Sequence, residues 1–185
     1  MTHVHLIFRT LFRLVRPIRG RKLDHFDVCE TSFRVLPTDL DVLRHMNNGV
    51  YLSILDLGRF DLLRRSGVWA ILRKHGWYPV IASETITFRK SLELWQAFTV
   101  QSRLTGFDDK AVYVEQRFVR NGEIYAQALI RARFLKKSGG TVPIGDLVDA
   151  VGDTGQWPEL PEWVVRWGTD VALPPTRAEA PSIWK

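Results

Sequence analysis

Thr38-Asp39-Leu40-Asp41-Val42-Leu43-Arg44-His45-Met46-Asn47-Asn48-Gly49-Val50-Tyr51 is the densest polar stretch of a 185-residue chain, and it separates two segments of opposite character. Ahead of it, Phe26 to Leu36 reads as a strand that Pro37 ends. Behind it, Val50 to Arg65 reads as a helix that is apolar on most faces. Tyr51, Ile54, Leu55 and Leu62 form one stripe, with Leu52, Leu57 and Leu63 beside it. A helix that apolar is a buried one. Gly58 in its middle costs about 1 kcal/mol relative to alanine, which points to close approach of a sheet or a partner backbone. Gly67 punctuates the helix, and a second short one is expected from Val68 to His75.

Four strand patterns follow. Val80, Ala82, Ile86 and Phe88 share a face, with Glu84 as the exception; Leu94, Phe98, Val100 and Leu104 do so next, then Val112, Val114 and Phe118. The fourth is the cleanest: Ile124, Ala126, Ala128, Ile130, Ala132 and Phe134 alternate with Tyr125, Gln127, Arg131 and Arg133. Asn121-Gly122 between the last two marks a tight hairpin. One strand, a long apolar helix and an antiparallel meander make an α+β domain with one sheet face covered. The alanines of the last strand leave room for the helix. From Gly139 the tail is turn-rich, with a short helix expected near Asp146 to Val151, and Trp157, Trp163, Trp167 and Trp184 imply that it packs onto something.

The net charge of +6 is local. Six basic residues and no acidic one precede Asp24, so the other 162 residues carry 20 basic and 20 acidic side chains and are formally neutral. The body therefore gives no electrostatic reason to expect nucleic acid. In the first twenty residues Val4, Phe8, Leu11, Val15 and Ile18 recur at helical spacing, with Arg9, Arg13, Arg16 and Arg19 on other faces. This is a basic amphipathic helix that suits an anionic membrane surface or packs on protein. The lone Cys29 rules out an intramolecular disulfide and fits a reducing compartment, so the expected location is cytoplasmic, with the inner face of a membrane as an alternative. Cys29 reads as a buried structural thiol. The five histidines are scattered without metal-ligand spacing, and no P-loop, dinucleotide fingerprint or nucleophile-elbow serine is present.

Eight of the fourteen residues quoted first can donate, accept or ionise, whereas capping a helix needs one or two. Singly, Asn47 or Asn48 reads as a cap, Asp39 as a turn brace and His45 as a loop hydrogen-bonder. Together, a carboxylate, an imidazole and two amides ahead of a helix N-terminus suit a developing oxyanion. Asp39-Leu40-Asp41-Val42-Leu43-Arg44-His45-Met46-Asn47-Asn48-Gly49-Val50-Tyr51 resembles the D-x-D-x-x-G-H-x-N-N-x-x-Y signature of the 4-hydroxybenzoyl-CoA thioesterase-like branch of the hot-dog superfamily. The resemblance covers about Phe26 to Pro143 and takes in the buried helix, the strand ending in Phe88-Arg89-Lys90 and the Asn-Gly hairpin. It implies an antiparallel sheet wrapped around a long central helix, with two subunits pairing to make the active sites.

The resemblance further implies an acyl-CoA hydrolase with Asp41 as nucleophile or general base. The helix N-terminus after Asn48 would polarise the thioester carbonyl, and His45, Asn47, Asn48 and Tyr51 would line the site. CoA enters as part of the substrate, so no separate cofactor is implied. A homodimer or a dimer of dimers is expected. The family's usual glycine before the histidine is Arg44 here, and this arginine could pair with a CoA phosphate or Asp39, or narrow the pocket. A membrane-associated thioesterase-like branch shares that departure and an apolar leader. This motivates an alternative, a non-catalytic acyl-CoA-binding or membrane-associated hot-dog protein. Glu84 is a second pocket acid or a paired structural carboxylate. Arg89, Lys90 and Lys110 are candidates for the CoA phosphates or ordinary solvated charges. Asp56 and Arg59, one turn apart, form an intrahelical pair. The chain thus divides into a leader over 1–22, a hot-dog domain over 23–143 and a Trp-rich extension over 144–185.

Overall fold

The computed structural model describes residues 21–152, 157–175 and 177–183; apart from Arg21 and Lys22 the leader helix lies outside them, as does Trp184. The described chain runs β1 (Cys29–Arg34), α1 (Asn48–Arg65), α2 (Val68–His75), β2 (Trp77–Phe88), β3 (Ala97–Phe107), β4 (Val112–Arg120), β5 (Glu123–Lys136), α3 (Ile144–Val151) and α4 (Glu162–Asp170). The strands form a single antiparallel sheet in the order β1-β3-β4-β5-β2. Both β1 and β2 are therefore edges.

The first half of α1 is buried against the inner face of the sheet. Tyr51, Ile54 and Leu55 meet Val100, Phe118, Ala126, Ala128 and Ile130. Burying each of these larger side chains stabilises by about 1.5–3 kcal/mol. The small residues of β5 let the helix approach, and Gly58 completes the fit. A Cβ there would lie 3.0 Å from both Val100 Cγ1 and Gln116 Nε2. Gln116 is wholly buried. Its amide donates to the Leu55 carbonyl at 3.0 Å and Ser102 Oγ at 2.7 Å, and its oxygen accepts from Arg59 at 2.8 Å. A buried amide so bonded costs little and fixes the height of the helix above the sheet.

Three readings need correction. In β2 the inward phase changes at a bulge between Ile81 and Ser83. Cross-strand partners share a face, so Pro79, opposite Phe134, and Ile81, opposite Ala132, point inward, while Val80 opposes Arg133 on the outer face. Ala82 is the extra residue, and Glu84, Ile86 and Phe88 then point inward. One inserted residue reverses a period-2 pattern. Leu94 lies outside the strands and is exposed. The outer face is also partly covered: Val164 of α4 packs with Ala111, Tyr113 and Leu129. Gly168 allows this docking, because a Cβ there would fall 2.1 Å from the Tyr113 hydroxyl.

Candidate active site

The chain between β1 and α1 is a tight loop tied by backbone bonds. Leu40 bridges to Met46, and His45 to Glu93. The Asp41 N–H donates to the His45 carbonyl at 2.8 Å, and the Arg44 N–H to the Asp41 carbonyl at 3.1 Å. Asp41 Oδ1 accepts from the N–H groups of Leu43 at 2.8 Å and His45 at 3.2 Å. A short acidic side chain bonding backbone amides two and four residues on sets the turn. Asp41 Oδ2 makes no hydrogen bond among the described residues. The carboxylate is thus held by one oxygen and open at the other.

The two aspartates of the stretch separate by burial. Asp39 is fully buried, and its Oδ2 accepts from the Leu36 N–H at 2.8 Å. Its carbonyl accepts from the Asn47 N–H at 2.8 Å. It joins the end of β1 to the start of α1. Arg44 stands in the left-handed region at φ 62°, the conformation a glycine adopts freely. Its side chain is exposed, as are those of His45 and Asn48.

Asn47 is the cap of α1. Its Oδ1 accepts from the Gly49 N–H at 2.9 Å, and its carbonyl from the N–H groups of Val50 and Tyr51. The Asn48 amide, first in the helix, receives no side-chain cap. It opens the positive end of an 18-residue helix just after the Asp41 loop. Tyr51 is a strut rather than an open group. Its hydroxyl accepts from the Leu92 N–H at 3.1 Å, and its ring meets Phe88 and Phe118. Burial raises its pKa, with the Leu92 amide opposing. Leu92 also accepts from the Met46 N–H at 2.9 Å. The segment Leu92-Glu93 thus backs the whole loop, a role that no side-chain pattern in the sequence announces.

The remaining candidates lie apart from this group. Glu84 faces the middle of α1, 3.8 Å from Arg59 Nη2, and Arg59 also contacts Asp56 and Gln116. Burial raises the Glu84 pKa, Arg59 opposes and Asp56 adds to it. Arg89 and Lys90 follow β2, and both pair with Glu123. Lys90 also lies over the Tyr125 ring. Cys29 is buried beside Thr31 and Asp61, and its pKa is pushed up to about 11, first by burial and then by the Asp61 charge. It is a poor nucleophile in that setting.

Residues 35–168 match the model of a family described as the Thioesterase-like superfamily. The match runs from the end of β1 through most of α4. Protein THEM6 of Xenopus laevis is 41% identical over 133 residues, which are 72% of this chain and 63% of that protein. The long-chain acyl-CoA thioesterase FadM of Escherichia coli is 29% identical over 103 residues, 55% of this chain and 78% of that protein. Among solved structures, the YbaW probable thioesterase from Escherichia coli superposes with a TM-score of 0.62 at 26% identity, covering 66% of this chain and 96% of the other. The matches to the THEM6 proteins of Xenopus laevis, Drosophila melanogaster and Danio rerio span 63%, 66% and 50% of those proteins.

Proposed function

We propose, from the premise that this chain belongs to the Thioesterase-like superfamily, that it hydrolyses acyl-CoA to a carboxylic acid and free CoA, with Asp41 as the acting carboxylate. One observation carries the reading: Asp41 is held by two backbone amides through Oδ1, with Oδ2 left for a reactant at the mouth of α1. Oδ2 attacks the thioester carbonyl carbon or takes a proton from the attacking water. The Asn48 amide and the helix end stabilise the oxyanion, a contribution of about 10²–10³-fold per donor. General-base assistance is worth about 10²–10⁴-fold. With Asp41 as nucleophile, the CoA thiolate departs as the carbonyl reforms, and water then cleaves the acyl–Asp41 anhydride to release the acid. With Asp41 as base, the thiolate departs from the water adduct and takes up the proton Asp41 accepted. Arg44, exposed on the same loop, would meet a CoA phosphate.

The resemblance to FadM supports a thioester of CoA as substrate. The alternative of a non-catalytic binder drew on Arg44 in the usual glycine position, but Arg44 holds a left-handed conformation that glycine adopts freely, so arginine there does not by itself change the turn. Two copies joined at the free edge of β2 would complete the site. No described helix is long and apolar enough to cross a membrane. The test is thiol release from short, long and aromatic acyl-CoAs by wild type and Asp41→Asn. The asparagine keeps the Oδ1 acceptor, so the loop stays folded while turnover falls at least about 10²-fold. An Asp41→Asn protein with wild-type turnover removes Asp41 from the mechanism.

A further inference from the structure

The outer face of the sheet holds an open groove of about 910 Å³ beside α4. Cross-strand registers set its floor in two rows. Thr85, Leu129, Glu115 and Arg103 form one, and Thr87, Gln127 and Arg117 the next. The floor thus crosses from β2 to β3, three strand spacings or about 14 Å. Pro161, Trp163 and Val164 at the start of α4 wall it. Val164 packs with Leu129, and the chain before α4 is pressed onto the sheet, since a Cβ at Gly106 would lie 2.8 Å from the Pro158 carbonyl oxygen. Val164 and Gly168 are buried, while Trp163 stays 52% exposed on the groove side.

Glu115 is the pivot of the floor. Its Oε2 accepts from Arg103 Nε at 3.1 Å and Nη2 at 2.7 Å, and its Oε1 from Arg117 Nε at 2.6 Å and Gln127 Nε2 at 3.1 Å. Burial pushes the Glu115 carboxyl up, but Arg103 and Arg117 outweigh it and hold it below its ordinary range, so it stays charged. One carboxylate therefore balances one of two guanidinium charges and fixes the planes of both. Their Nη1 groups make no hydrogen bond among the described residues, and the side chains are 50% and 38% exposed. Two oriented guanidinium forks with spare donors and one excess charge recognise a phosphate. Thr105 Oγ1, which also lines the groove, is buried without a partner and adds an unmet hydroxyl.

We infer that this groove binds a nucleoside phosphate, with the base against the Trp163 ring and the phosphate on Arg103 and Arg117. An indole half open to solvent is a stacking platform for a flat ring. The hydroxyls of Thr85 and Thr87 and the Gln127 amide suit a ribose. A hydrocarbon laid over them would bury them unpaired, which favours a nucleotide over a fatty acid although both carry an anion. The sheet separates the groove from α1, so the site is distinct from the Asp41 loop at the mouth of that helix. It stands whether or not Asp41 acts on a thioester.

The test is calorimetric titration of the full chain with AMP, GMP, CMP and UMP, and with inorganic phosphate and decanoate. At least one nucleotide binds, about tenfold or more tighter than inorganic phosphate. Arg103→Gln removes one charged fork and weakens that binding about tenfold or more, while Glu115 keeps Arg117 and Gln127 as partners. Arg117→Gln stands in if that variant unfolds. Trp163→Leu removes the stacking face and weakens binding by about the same factor, whereas Arg44→Ala leaves it unchanged. No nucleotide binding at millimolar concentration overturns the inference, as does an affinity that Trp163→Leu and the arginine variants leave intact. Inorganic phosphate bound as tightly as every nucleotide reduces the groove to an anion site and rejects the nucleoside. Decanoate bound in place of nucleotides gives the groove to a carboxylate amphiphile and is equally fatal. Binding lost in Arg44→Ala but kept in Trp163→Leu moves the nucleotide to the Asp41 loop and overturns the assignment.

Discussion

Arg44 holds a backbone conformation, φ 62°, that costs a residue with a Cβ about 1–2 kcal/mol. The turn around Asp41 needs it, because the Arg44 and His45 amides must both reach back to Asp41. Arg44→Gly therefore raises stability by about 1 kcal/mol, read as a higher urea midpoint. A fall would mean that the arginine side chain contributes contacts that outweigh its strain. Asp39 makes the opposite case. Its buried carboxylate satisfies the Leu36 amide, so Asp39→Ala leaves that donor unpaired and costs about 1–3 kcal/mol in the same assay. Asp41→Asn, which keeps its acceptor, unfolds close to wild type. On the proposed mechanism the two aspartates divide between stability and chemistry, and a stability loss in Asp41→Asn equal to that of Asp39→Ala would dissolve the division.

At the scale of elements, α4 is the piece the sequence left unread. Its nine residues include Gly168 and Thr169, and the tail around it is rich in proline, so only the tryptophans signalled packing. Its anchor is a long-range network: Tyr113 donates to Asp108 at 2.8 Å, Arg131 Nε donates to Tyr113 at 3.0 Å, and Gly168 lies over the tyrosine hydroxyl. No local pattern shows a contact between residues so far apart in sequence. The meander and α1, by contrast, were legible because their periods are local, and β2 was misread only where one bulged residue reversed the phase. The Asp39–Tyr51 candidate cluster was legible as a group. The separation of its buried from its open carboxylate was not, since burial is set by how the loop packs and not by any residue pattern within it.

Gly168→Ala drives a methyl into the Tyr113 hydroxyl and displaces α4, at a cost of about 1–3 kcal/mol, seen as a change in Trp167 fluorescence and a lower Tm. Acid should reproduce the release. Burial pushes the Asp108 carboxyl up, but the Lys110 and Ala111 amides, Tyr113 and Arg131 together bring it below its ordinary 3.8. A depressed carboxyl stabilises fully above its unfolded value and loses that contribution as pH falls through the folded one. The fluorescence change thus begins below about pH 4 in wild type, and Gly168→Ala shows it already at neutral pH.

For the whole molecule the decisive feature is the free edge of β2. Edge strands usually carry charge, proline or a cover that prevents sheet-to-sheet pairing. Pro79 guards the start of β2, but beyond it the strand has one charged side chain, Glu84, and it faces Arg59 beneath α1 instead of guarding the edge. Tyr78, Ile81 and Phe88 are exposed along the strand. A second copy paired along it would cover such an edge, and the bulge after Ile81 bends the strand. Ile81→Lys places an unpaired charge on that seam. If copies pair along β2 as proposed, sedimentation velocity finds wild type a dimer and the variant a monomer at the same concentration. Its turnover falls with the dimer population, so specific activity drops on dilution and recovers as subunits are concentrated. Since Ile81 is remote from Asp41 along the chain, that concentration dependence separates a site shared between copies from one that is merely distorted. A monomer with full, concentration-independent activity would place every reacting group within one chain and leave the bare edge of β2 to be explained by some other cover.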